Sequence, residues 1–219
     1  MGDGPRPWWR RLTGGADAGL PTRWVVLDVE SSGLDPQHDR LLAIAALGVQ
    51  TAGARPRLVV ADSFEVVLQQ PADNGPPDRD NILVHGIGVQ AQREGRPPAQ
   101  ALQAFVDFVG RSPLVAFHAG FDRVLIRRAL HDVLRLGIGN PWLDLADLAP
   151  VLCPRVAGAA LDDWLAHFDI SVAVRHQAMS DTWATAELLQ RLWPLAQRQG
   201  LGGDFRALAR AAAARRWVS

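Results

Sequence analysis

Three apolar, β-branched runs separated by turn residues stand out along the chain: WVVLDVE at 24–30, LLAIAALGV at 41–49 and LVVADSFEVVLQ at 58–69. Runs of this length bounded by Gly, Pro, Asp and Ser read as strands, and three in succession as a meander. Residues 71–80, PADNGPPDRD, hold three prolines and a glycine and predict a surface loop. Beyond the loop the texture alternates. Helical spacing over 99–109 is followed by the short run LVAFH at 114–118, a helix over 121–136 and a strand-like WLDLADL at 142–148. Helices are predicted over 161–168, 181–199 and 205–216, with Pro194 expected to kink or end the long one. A meander followed by alternating helix and strand predicts an α/β fold, a mixed five-stranded sheet flanked by helices.

At 219 residues and 23.8 kDa, one compact domain is expected. Residues 1–22, rich in Gly, Pro and Arg around Trp8 and Trp9, suit a flexible N-terminal arm. The Trp pair either docks a partner or covers an apolar patch of its own domain. The main domain is placed at 23–200, with 201–219 a C-terminal helix packed on it or extending it. The 23 cationic residues balance 23 acidic ones, so any polyanion must be held by a local patch rather than by the overall field.

Every cation is an arginine, and lysine and tyrosine are both absent. Schiff-base chemistry, a phosphate-loop lysine and a tyrosine nucleophile are thereby excluded. With Cys153 alone, no internal disulfide or multi-cysteine zinc site can form, and a buried, inert thiol is expected. The longest apolar run, 41–49, falls far short of the ~20 residues that span a bilayer, and residues 1–7 lack the apolar stretch of a signal peptide. A cytoplasmic protein with no membrane partner is the expectation.

Three places carry candidate chemistry. Asp28 and Glu30 lie two apart in an otherwise apolar strand, so both side chains project from one face, roughly 6–7 Å apart. Arrival of the strand at solvent, with Ser31-Ser32-Gly33 an ordinary turn, accounts for them equally well. Asp122 follows the run LVAFH where a helix begins, a place that suits either a helix-dipole partner or a third carboxylate at a strand-to-helix junction. His176 stands just outside the long helix, with Ser180 as its expected N-cap and Asp181 in its first turn. A surface or capping role fits His176 taken alone. His38, His131 and His167 have no carboxylate-rich partner segment and read as surface residues.

Taken in chain order, Asp28-x-Glu30, His118-x-x-Phe121-Asp122 and His176 with Asp181 five residues on resemble the three exonuclease motifs of the DEDD superfamily, histidine subclass. The likeness is to the DnaQ-like exonucleases, the group typified by the proofreading epsilon subunit of bacterial DNA polymerase III. Leu27 to Gly33, Val84-His85-Gly86-Ile87 and His176-Gln177-Ala178 are supporting local matches, and the resemblance runs from about Trp24 to Trp193. Ser31-Ser32 stand where the family often has Thr-Thr, and Ala119 where it often has Asn.

The resemblance implies a ribonuclease H-like fold and two Mg²⁺ or Mn²⁺ ions held by Asp28, Glu30, Asp122 and Asp181, with His176 as general base. It implies 3′→5′ hydrolysis of single-stranded nucleic acid, DNA favoured, to nucleoside 5′-monophosphates. RNA trimming, or a non-catalytic module that docks on a polymerase through the arm, are the alternatives. Charge arithmetic agrees, because close carboxylates repel by ~1–4 kcal/mol per pair and hard oxygen donors suit Mg²⁺ or Mn²⁺. Ser31, Ser32, Gly33, Leu34, His85 and Phe121 are the expected contacts to the terminal nucleotide, with plain core packing the other reading of Leu34 and Phe121. Arg123, Arg127 and Arg128, or Arg206, Arg210, Arg215 and Arg216, are candidate phosphate contacts, each cluster equally readable as a solvated helix face.

Overall fold

The computed structural model describes residues 22–71, 79–158, 160–172 and 174–215. The N-terminal arm, most of the predicted loop at 71–80 and Arg216 therefore lie outside the described residues. The meander forms as expected from β1 (Arg23–Ser31), β2 (Leu41–Gln50) and β3 (Arg57–Val67), paired antiparallel in sequence order. β4 (Leu114–Ala116) and β5 (Trp142–Asp144) add on the other side of β1 in parallel, giving the sheet order β3-β2-β1-β4-β5. The central strand β1 is thus covered on both faces, which is why its sequence is a nearly unbroken apolar run.

Alternation along β1 divides the core in two. Trp24 and Val26, with Leu47 and Val49 of β2, meet the face covered by α5 (Leu145–Leu152), α6 (Leu161–His167), α7 (Ala178–Arg198) and α8 (Phe205–Arg215). Trp24 packs at 5.4 Å from Trp193 and edge-on at 5.0 Å from Phe205, so the C-terminal helix closes this half of the core. Val25, Leu27 and Val29 face α3 (Pro98–Val109) and α4 (Ala119–Leu134), where Leu102, Phe105, Leu125 and Ile126 are fully buried.

Several boundaries differ from those expected. WLDLADL is a strand only to Asp144, whose side chain accepts the Ala146 N–H at 3.0 Å and starts α5. β4 ends at Ala116 because His118 turns left-handed (φ 62°), and α4 begins two residues earlier than predicted. α7 begins at Ala178 with Gln177 as N-cap, so Ser180 lies inside the helix and caps nothing. It also continues through Pro194 to Arg198: one lost backbone donor is tolerated because Trp193 and Ala196, on either side, are buried in the core. α1 (Arg79–His85) takes in the last two residues of the predicted loop and is followed by the unforeseen α2 (Val89–Glu94). Cys153 is half-buried rather than fully buried, and desolvation pushes its thiol pKa up. Among the described residues no helix is long and apolar enough to cross a membrane.

Gly48 marks a close approach that holds the far end of the sheet. The β2–β3 register slips between Leu47 and Val49, and a Cβ at Gly48 would lie 1.8 Å from Asp62 Oδ2. Asp62 is there to receive Arg23 bidentately, Nε at 2.6 Å and Nη2 at 2.8 Å, while Nη1 of the same guanidinium donates to Ser112 Oγ at 2.9 Å. Gly48→Ala is therefore expected to break this charge-assisted pair at about 1–3 kcal/mol. Urea unfolding of the single and double variants checks it: in an Asp62→Ala background the same substitution should cost less than half as much.

Candidate active site

Asp28 and Glu30 continue the row of Trp24 and Val26, so they share the face of β1 that α7 covers. Their cross-strand partners on β2 are Ala45 and Ala43, both buried. These small side chains leave room for α7 to lie close, and Thr182 Oγ1 donates to Ala45 O at 3.3 Å. Asp181, one residue before that contact, is thereby brought to the carboxylates of β1. Asp181 is buried and Asp28 and Glu30 are half-buried.

The third acid arrives from the other side. Asp144 Oδ1 accepts the His118 N–H at 3.0 Å as well as that of Ala146, tying the left-handed β4–α4 turn to the end of β5. Phe121 N–H then bonds His118 O at 2.9 Å, and Asp122 falls in the first turn of α4, 3% exposed, where its own N–H and that of Val29 in β1 favour its anion. A strand neighbour and a helix start thus place Asp122 against the end of β1. Asp144 was not among the residues singled out from sequence, although an Asp before LADLAPVL is a helix N-cap signal that could have found it.

The fourth element is the segment before α7. His176 is exposed, with φ 60°, and its backbone N–H donates to Asp181 Oδ2 at 3.1 Å. Arg175 donates through Nη1 to Asp181 Oδ1 and through Nε to Asp162 Oδ1 at 2.5 Å, linking α6 to α7. Arg175 too was missed, and no periodicity or spacing marks it.

Electrostatics bind these groups into one unit. Burial first, then the Asp122 and Asp181 charges, hold the Asp28 carboxyl well above its ordinary range, with Arg175 opposing. Glu30 is pushed up to about 9 by burial and by Asp28 and Asp181, again against Arg175. Asp122 is pushed up to about 8, mainly by burial, with Asp144 and Glu30 adding and the N–H donors resisting. An all-oxygen set that resists ionisation for want of positive charge fits hard divalent cations. Among the described residues no three His, Cys, Asp or Glu side chains converge on one ion position as they stand. Both oxygens of Asp181 are engaged by protein donors.

The remaining sequence candidates divide. Ser31 Oγ donates to Gly33 O at 2.6 Å and Ser32 Oγ to Asp39 Oδ1 at 2.9 Å, so both hydroxyls organise the β1–β2 turn. A Cβ at Gly33 would come within 2.5 Å of that Asp39 carboxylate, so the turn needs glycine there. Leu34 is 93% exposed at the tip of the turn, whereas Phe121 is partly buried against the α3–α4 core. His85 is 3% exposed; its Nδ1 accepts the Ile87 N–H at 2.9 Å and its Nε2 has no partner among the described residues. It lines a cavity of about 200 Å³ together with Ser32, Asn81 and Gln92. Arg123 and Arg127 are exposed on α4, and Arg206, Arg210 and Arg215 on α8, whereas Arg128 donates to Pro36 O and Asp39 O and braces the turn instead. His38, His131 and His167 are exposed, as expected.

Residues 25–189 match the exonuclease family designated RNase T, and the chain belongs to that family. Among curated relatives, the PolC-type DNA polymerase III of Clostridium perfringens is 29% identical over 177 residues, 80% of this chain and 12% of that protein. A DNA polymerase III subunit epsilon-like protein of Rhodobacter capsulatus is 30% identical over 181 residues, 81% of this chain and 25% of that protein. The chain thus spans a quarter or less of these two relatives. Its fold is that of Escherichia coli exonuclease I, solved with a dT13 oligonucleotide: TM-score 0.69 at 19% identity, over 82% of this chain and 43% of that one. The ribonuclease H-like fold expected from the motifs is the one found.

The raised carboxyls have a measurable consequence without metal. In the unfolded chain Glu30 loses its proton near 4.5, and in the folded protein near 9, so its favourable contribution is complete below 4.5 and is lost as pH rises towards 9. Thermal melts in chelator should therefore show wild type weakening from pH 5 to 8.5 more steeply than Glu30→Gln. At pH 8 the variant should be the more stable by roughly 1–3 kcal/mol, or about 3–10 °C. Parallel curves would contradict the repulsion described above.

Proposed function

We propose that this protein is a divalent-metal-dependent 3′→5′ exonuclease that removes nucleoside 5′-monophosphates from single-stranded nucleic acid, with DNA the favoured polymer. The observation that carries the reading is the electrostatic proximity of Asp28 and Glu30 on β1, Asp122 on α4 and Asp181 on α7 in a chain of the exonuclease family. These four would hold two Mg²⁺ or Mn²⁺ ions, whose chemistry when bound is to activate water and to stabilise charge on the departing 3′ oxygen.

The chain's own residues supply the rest. His176, exposed beside Asp181, takes the proton of the attacking water as general base. Leu34 and Leu83, 93% and 83% exposed, offer apolar contact to unpaired bases, and the unpartnered Nε2 of His85 beside Ser32 offers a donor to the terminal nucleotide. Single strands are favoured because their bases reach such surfaces without a melting cost. Exposed Arg123 and Arg127 on the helix that carries Asp122 are suited to backbone phosphates. The polymerase III relatives support a polymerase partner.

Digestion of matched 5′-labelled single-stranded DNA and RNA with Mn²⁺, Mg²⁺ or chelator tests this. A ladder shortening from the 3′ end is expected only with metal and faster on DNA. Asp28→Ala should abolish it and His176→Ala should slow it by about 10²–10⁴-fold. A faster ladder on RNA would reassign the polymer, and strands left intact with either metal would remove the catalytic reading.

A further inference from the structure

Asp181 holds its place through two protein donors, the Arg175 guanidinium on Oδ1 and the His176 N–H on Oδ2. The same guanidinium is gripped on its other side by Asp162 of α6, itself largely exposed. Its charge is the one that opposes the elevation of both Asp28 and Glu30. A carboxylate oxygen that accepts a guanidinium N–H has that lone pair and that space committed, and a divalent ion must lie within about 2.0–2.6 Å of the oxygens that ligate it. Arginine stays protonated at any physiological pH, so the occupant cannot be removed by titration, only by exchange.

We propose that Arg175 is a positioning residue that stands in for a cation at Asp181 and competes with the divalent metal for that carboxylate. Asp162 provides the place to which the guanidinium withdraws when metal enters. This rests on the assignment of Asp181 as a metal ligand, and it adds a role for a residue that no exonuclease motif of the chain includes. Arg175 keeps the metal-free carboxylates together at the expense of metal affinity, since apparent affinity falls by the fraction of molecules whose ligand is already occupied.

Calorimetric titration of the chelator-treated full chain with Mn²⁺, compared with Arg175→Gln, Arg175→Lys and Asp28→Asn, tests the exchange. Arg175→Gln should bind Mn²⁺ about three- to tenfold more tightly than wild type, and its metal-free form should melt at a lower temperature. Arg175→Lys should fall between them, because a single ammonium cannot span Asp162 and Asp181 with the two donors that the guanidinium uses. Unchanged or weaker Mn²⁺ binding by Arg175→Gln overturns the proposal. A lysine variant identical to wild type beside a tighter glutamine variant also overturns it, since a general field effect rather than occupancy of Asp181 would then be at work. If Arg175→Gln does not fold, Arg175→Lys decides alone: tighter binding supports exchange, and equal or weaker binding refutes it. Wild type that takes up no Mn²⁺, indistinguishable from Asp28→Asn, would instead bring down the metal-site assignment and this inference with it.

Discussion

The constraint on which the structure turns is the repulsion among carboxylates brought into a place with little water. Asp28, Glu30 and Asp122 are held in a setting where the anion is disfavoured first by burial and then by one another. Local interactions offset this only in part, so the stabilising work falls to the two apolar clusters on either side of the sheet. A fold that spends stability in one place to prepare a charged site is the expected compromise between stability and function. The features around the site are legible as means of enduring that repulsion: N–H donors on Asp122, and a guanidinium on Asp181.

Division of labour among the elements follows. The carboxylates stand on β1, α4 and α7, which are anchored in the core by Leu27, Ile126 and Leu189. Their positions are therefore set by burial of large side chains rather than by the weak contacts of the site itself. Leu34 on the β1–β2 turn, and Arg175 and His176 on the segment between α6 and α7, lie instead on connections. Next to the acids the backbone is left-handed at His118 and His176, and Gly33 leaves room for the Asp39 carboxylate in the β1–β2 turn. A left-handed non-glycine residue costs of order 1 kcal/mol, here offset at both histidines by an N–H bonded to an aspartate.

How much of this could be read from residues alone differs by type of signal. The strands were legible because β-branched runs and the period of two are local, and the sheet's mixed character followed from the order of elements. The pairing of Asp28 with Glu30 was legible for the same reason, since the strand period fixes which neighbours share a face. Boundaries failed where a local hydrogen bond overrode the pattern: the Asp144 side chain turned the second half of an apolar run into α5, and the Gln177 carbonyl, accepting the Asp181 N–H, opened α7 before Ser180 could. The passage of α7 through Pro194 was out of reach because the burial of Trp193 and Ala196 is a tertiary effect. The engagement of Ser32 with Asp39 and of Arg128 with two turn carbonyls joins residues too far apart for any periodic signal.

Arg175 shows what such a reading leaves out. As one arginine among many it carries no periodicity, yet in space it is the counter-charge to a carboxylate cluster assembled from three separate elements. Its importance is a property of the cluster, not of its own segment: without repulsion to relieve, a half-buried ion pair at that point would be worth ~1 kcal/mol or less. The same logic runs through the whole site. Residue types that chemistry requires can be found by motif, but the residues that make their company tolerable are chosen by geometry, and only the assembled fold brings them into view.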